Sequence, residues 1–258
     1  MTDQEKDYES LNIEGIFALL NNDLEKAKEL FIEAIDLEDD NYEALCNLGK
    51  AYALELDFDK AIELFHNSLI KNPKFVESLH NLAVSYYRIG QINEAIKFYK
   101  EVIEIDDKYF QSLFNLGNCY YEKKELKEAI TWYKKTVEAN PNFLDAQFNL
   151  ANTYREMEQN ELAIKTFEMI LTKWPDDPTV YYNLGYSYHI KGNLDKAIEN
   201  YESAISFRSD YLKAIVNLGL AYEKKGENDK ALSYFKKALE INPDITIVRE
   251  RTEELEKQ

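Results

Sequence analysis

The chain repeats itself with a period of 34 residues, and that constrains its fold more than any other feature. Counted from Tyr8 in steps of 34, successive units open at Tyr42, Val76, Phe110, Leu144, Pro178 and Leu212. Place 8 of each unit is small: Gly15, Gly49, Ala83, Gly117, Ala151, Gly185 and Gly219. Place 20 is alanine seven times, from Ala27 to Ala231. Place 24 is aromatic seven times, from Phe31 to Phe235, and place 11 is tyrosine in every unit but the first. Internal repetition at such a period signals stacked supersecondary units, none of which can bury its apolar face alone.

The physical reading of one unit follows from spacing. Places 4, 7, 8 and 11 follow the i, i+3, i+4, i+7 pattern of an amphipathic helix, and places 17, 20, 24 and 27 repeat it for a second. Small residues at places 8 and 20 let the two helices approach closely while the aromatics fill space beside them. Gly90, Gly192 and Gly226 fall between the helices, where a turn suits them. Proline at place 32 of four units (Pro73, Pro141, Pro175, Pro243) is expected to stop the second helix.

With these places on the page, the unit resembles the tetratricopeptide repeat, whose L-G-x2-Y…A-x3-F…P pattern it meets. Two departures are that place 4 is never Trp and that unit one carries Glu14 where the others have Leu. The resemblance implies an all-α, right-handed α-α superhelix of seven helix-turn-helix repeats plus a C-terminal capping helix. The expected organisation is a short acidic segment at 1–7 and a single array over 8–245. Its repeats are 8–41, 42–75, 76–109, 110–143, 144–177, 178–211 and 212–245, with the capping helix at 246–258. In that helix Ile247, Val248 and Leu255 are expected to pack inward.

Six asparagines recur at place 6: Asn47, Asn81, Asn115, Asn149, Asn183 and Asn217. Asparagine is a poor helix-interior residue, roughly 0.5–0.7 kcal/mol worse than alanine, so something offsets six of them. In the geometry that the resemblance implies, places 2, 5, 6, 9, 12 and 13 face a concave groove. Each amide then offers an acceptor and donors to the main chain of an extended peptide. The competing explanation is that the amides bond neighbouring helices or water. Asn118 and Asn152 add amides at place 9, and His80, Tyr87, Phe114, Tyr121, Phe148, Tyr182 and Tyr186 line the middle of the groove. Aromatics suit anchoring of ligand side chains, although ordinary packing explains Phe114 and Phe148 equally well. The family's carboxylate clamp finds only Asn152, Asn183 and Lys213 here. Phe148 and Asn217 stand where it needs lysine and arginine, which argues against chaperone-tail docking. In unit one the same wall is apolar (Ile13, Ile16, Leu19, Leu20), a possible interface for another chain or a second copy.

Charge narrows the partner. The net charge is −17, which disfavours phosphate backbones and so nucleic acid. Residues 1–41 alone carry 13 acidic side chains against Lys6, Lys26 and Lys28, either a solvated end or a surface for a basic partner. The opening MTDQEKDYES has no secretory pattern and no apolar run spans a bilayer. The two cysteines, Cys46 and Cys119, fit a reducing compartment, so a cytoplasmic protein is expected. Phosphate-loop, nucleophile-elbow and HExxH motifs are absent. Cys46 and His80 share place 5 of adjacent units but supply too few ligands for zinc. The expectation is therefore a non-catalytic interaction scaffold with no cofactor or metal. It would bind a protein or peptide, with basic residues in the partner favoured, as a monomer or with weak self-association. The rival is a self-associating assembly subunit.

Overall fold

The computed structural model describes residues 7–257, so the N-terminal part of the expected acidic segment lies outside the described residues. Packing divides the chain into two compact units that meet in sequence between Asn140 and Pro141, each treated by itself. All regular structure among the described residues is α-helical.

The first unit holds α1 (Tyr8–Leu20), α2 (Leu24–Leu37), α3 (Tyr42–Leu54) and α4 (Phe58–Lys71). It continues with α5 (Val76–Arg88), α6 (Ile92–Ile105), α7 (Phe110–Glu122) and α8 (Leu126–Ala139). The second holds α9 (Leu144–Glu156), α10 (Asn160–Lys173), α11 (Pro178–Ile190) and α12 (Leu194–Phe207). After them come α13 (Leu212–Lys225), α14 (Asn228–Ile241) and α15 (Thr246–Leu255). Every first helix begins at place 1 of its repeat and every second helix at place 17.

Within each hairpin the place-24 ring is fully buried and lies against place 8 of the first helix. A Cβ added to Gly117 would sit 2.6 Å from the Tyr133 ring, so the glycine's missing side chain is what seats the aromatic. The place-20 alanines are all completely buried, from Ala27 to Ala231. Neighbouring hairpins are stapled by the place-11 tyrosines. Tyr188 and Tyr222 donate to Glu168 and Glu202 at 2.8 Å, and Tyr86 meets His66 Nε2 at 3.0 Å. First helices of adjacent repeats touch one another directly, α1–α3–α5–α7 in one unit and α11–α13 in the other. They therefore line the inner side of each stack.

One expectation widens here and two change. The turn residue at place 15 is left-handed in every repeat, with φ near 80° at Gly90, Gly192 and Gly226 and 60–66° at Asn22, Leu56, Lys124 and Glu158. Proline is not what ends the second helix. The α2, α6 and α12 helices stop at the same place as their proline-bearing counterparts, on an extended cap residue whose N–H still reaches the fourth carbonyl before it. In α15 the buried stripe is Val248 and Thr252, with Leu255 partly buried, an i, i+4, i+7 face. Ile247 lies one residue off that face and is 55% exposed.

Candidate functional site

The place-6 amides all sit on first helices, on the inner side of their unit, but their surroundings differ. In the first unit Asn47 is buried and donates through Nδ2 to Oδ1 of Asn12, itself buried, at 2.9 Å. Asn81 is half-buried and bonds back along its own helix to the Glu77 carbonyl at 2.8 Å. Asn115 is half-buried and shares a hydrogen bond with the Tyr99 hydroxyl, whose pKa burial raises above the ordinary tyrosine range. Asn118 accepts from Tyr133 at 2.8 Å. Tyr99 and Tyr133 thus support the amides of this unit from below, each buried hydroxyl finding the partner that it needs.

In the second unit Asn149 and Asn217 are half-buried and Asn183 is buried. Asn183 donates to the Thr179 carbonyl at 2.8 Å and accepts from Arg155 Nη1 at 3.1 Å. The other arm of that guanidinium donates to Asn152 Oδ1 at 2.8 Å, and its plane lies 5.0 Å from the Tyr186 ring. Tyr186 stacks on Tyr182 with centroids 6.3 Å apart, and Asn217 donates to the Tyr182 hydroxyl at 3.1 Å. Asn152, Asn183, Tyr182, Tyr186 and Asn217 therefore form one network, organised by Arg155, which sequence reasoning does not single out. Its spacing of three from Asn152 was the available signal.

The remaining aromatics divide. The Tyr87 hydroxyl donates to Glu122 at 2.6 Å, and Lys124 sits 5.1 Å over the Tyr121 ring. Phe114 and Phe148 are half-buried against the place-24 rings of Tyr133 and Phe167, at 5.9 and 5.4 Å, so packing accounts for them. His80 bonds Ser112 through Nδ1 at 2.8 Å, and burial pushes its pKa down to about 4. In repeat one, Ile13, Ile16 and Leu20 are exposed, as is Phe17, whereas Leu19 packs on the core.

The chemistry available to this surface is hydrogen bonding and ring contact. Burial pushes the Cys46 and Cys119 thiols up to about 11 and 12, which keeps both protonated and poorly nucleophilic. No cluster of three or more His, Cys, Asp or Glu suited to a metal occurs among the described residues. No helix among them is long and apolar enough to cross a membrane.

Tetratricopeptide repeat models match residues 18–74, 75–142, 143–210 and 176–244. No curated protein sequence matches the chain. Among solved structures, the C-terminal part of a tetratricopeptide repeat protein from Cytophaga hutchinsonii aligns with a TM-score of 0.81 at 16% identity. It covers 92% of this chain and 97% of that one. YrrB, described as a TPR protein with an unusual peptide-binding site, aligns at 0.64 and 23% identity over 74% of this chain and 99% of its own. A tetratricopeptide repeat protein from Parabacteroides merdae aligns at 0.65 and 20% identity, over 96% and 98%. At these identities the likenesses speak for the fold alone, an all-α repeat fold. With the family models spanning most of its length, the chain belongs to the tetratricopeptide repeat family.

Proposed function

We propose that this protein captures an extended segment of a partner protein along the inner, first-helix face, with the place-6 amides reading its main chain. One observation carries the reading: half-exposed amides recur at a single phase, at Asn81 and Asn115 in one unit and Asn149 and Asn217 in the other. A carboxamide has an acceptor oxygen and two N–H donors. Asn217 donates one N–H to the Tyr182 hydroxyl, and Asn81 donates one to its own helix and also meets the Cys46 thiol. Asn47 and Asn183 are buried and serve as supports of the row, not as contacts. The Tyr182–Tyr186 stack and the Tyr87 and Tyr121 rings flank the amides as anchors for side chains. The net charge favours a partner with basic residues, and the unpaired cysteines suit a cytoplasmic setting. The likeness to YrrB, a TPR protein with a peptide-binding site, supports the mode.

The test is selection of peptides from a random display library on the full chain. Affinities are then measured for wild type, for Asn81→Ala with Asn115→Ala, and for Asn149→Ala. Losing two main-chain bonds of about 0.5–1.5 kcal/mol each corresponds to roughly a tenfold weakening. Unchanged affinity in both variants removes the ladder from the account.

A second reading, self-association through repeat one, is favoured by the exposure of Ile13, Ile16, Phe17 and Leu20 on one helix. A molar mass that stays monomeric at high concentration rules it out.

A further inference from the structure

A cleft of about 570 Å³ opens between α1 and the start of α3, lined among others by Tyr8, Glu9, Glu38, Asn41, Tyr42 and Glu43. Carboxylates converge on it from three elements: Glu9 on α1, Glu38 at the end of α2 and Glu43 on α3. Asp40 also lines it but is paired with Lys71 at 2.9 Å. Glu9 accepts a bond from the Tyr8 hydroxyl at 3.3 Å. No cation among the described residues lies within ion-pair distance of Glu9, Glu38 or Glu43. Like charges gathered without a counter-charge repel, and an incoming cation relieves that repulsion.

Two further features distinguish the cleft from an ordinary acidic rim. Tyr8 and Tyr42 present two aromatic rings beside the carboxylates, the combination that attracts an ammonium or guanidinium group. Asn41 is 8% exposed, its Oδ1 caps α3 by accepting from the Ala44 N–H at 3.0 Å, and its Nδ2 has no hydrogen-bond partner. A buried N–H donor without an acceptor is unfavourable, and a peptide carbonyl supplies what it lacks. The carboxylates do not group as a metal site, so a metal ion is the poorer fit. Ile13, on the cleft's edge and 54% exposed, offers an apolar surface for the methylene stem of a long basic side chain.

We propose that this cleft is a docking site for a lysine or arginine side chain of the partner polypeptide. Glu9, Glu38 and Glu43 meet the cation, the tyrosine rings flank it, and Asn41 Nδ2 takes the adjoining carbonyl. The inference rests on the peptide-capture reading only for the occupant's being a polypeptide.

The test uses the full chain and two capped peptides, acetyl-Ala-Gly-Arg-Gly-Ala-amide and its counterpart with methionine for arginine. Side-chain resonances of Tyr8, Tyr42 and Asn41 are followed by NMR. The arginine peptide should shift all three saturably and bind at least tenfold tighter than the methionine peptide, with affinity falling as salt rises. Glu38→Gln with Glu43→Gln should abolish the preference, whereas Glu33→Gln, exposed on α2 and outside the cleft lining, should leave it intact. All three positions are exposed, so the fold tolerates the changes. Equal binding of the two peptides, or a preference that survives the double change, overturns the proposal. Arginine preference at the cleft, together with library-selected peptides whose affinity is indifferent to Asn81→Ala and Asn115→Ala, would keep this site while refuting the ladder. Ladder-dependent binding without arginine preference would do the reverse.

Discussion

The same substitution at two rungs of the ladder should change stability in opposite directions. Asn47→Ala removes the donor to Asn12 Oδ1, a bond of 2.9 Å between residues 5% and 8% exposed. The lost bond is worth about 1 kcal/mol and the stranded buried oxygen adds about 1–2 kcal/mol. Replacing asparagine by alanine within a helix returns roughly 0.6 kcal/mol. The net is a destabilisation of about 1.5–2.5 kcal/mol, or a fall of roughly 3–8 °C in the midpoint at this unit's size. At Asn81 the amide bonds its own helix at Glu77 and is half-exposed, so water replaces the bond and the propensity gain survives. Asn81→Ala should therefore be neutral or stabilising by a few tenths of a kcal/mol. Thermal and urea melts followed by circular dichroism measure both. Removing Asn12 as well, in Asn12→Ala with Asn47→Ala, should recover much of the loss, because no unpaired group is left behind. If Asn47→Ala and Asn81→Ala have equal effects, the division of the row into supports and contacts is wrong.

The left-handed turn residue gives a matched pair. Leu56→Gly, at φ 66°, should stabilise by about 0.5–1 kcal/mol, whereas Gly192→Ala, at φ 82° with open space around it, should destabilise by about 1 kcal/mol. Melts showing the same sign for both would refute the backbone argument. Burial lowers the folded-state pKa of His80 to about 4, below the ordinary value of 6.5. Its contribution to stability is therefore complete above pH 6.5 and declines as the pH falls towards 4, by about 3 kcal/mol from the 1.36 kcal/mol carried by each pKa unit. His80→Asn should flatten that part of the stability profile relative to wild type. An unchanged slope would place the titration elsewhere.

The helices were legible because each depends on a residue type that no other place tolerates. A ring over a small residue, an alanine between helices and a tyrosine on the next hairpin each recur at a fixed phase, so two helices per repeat followed from counting. The turn was only partly legible. Left-handed backbone is forced by the short connection in every repeat, yet glycine marks it in three, while Asn22, Leu56, Lys124 and Glu158 adopt it unannounced. The proline rule overreached because the helix end is set by the extended residue at place 31, which needs no proline. Ile247 was misplaced because a ten-residue helix with one apolar stripe gives periodicity little to work on. At the site, the phase of the amides was visible but their engagement was not. Whether an asparagine is a contact or a support depends on its neighbour: a second buried amide beside Asn47, a guanidinium beside Asn183, the helix's own carbonyl and the Cys46 thiol at Asn81. Those pairings cross repeats, where one-dimensional periodicity carries no information about side-chain direction. The cleft of repeat one was foreshadowed only as an excess of negative charge. The rings and the orphaned Asn41 donor that give it chemistry required coordinates.

The measurement that bears most directly on the peptide-capture reading is the set of side-chain amide resonances of the chain, recorded as a library-selected peptide is titrated in. Asn81 and Asn115, and Asn149 and Asn217, should move saturably, while Asn200, half-buried on the second helix α12 and bonded to its own helix, stays still. Perturbations confined to second helices and loops, with all four amides unmoved, would contradict it.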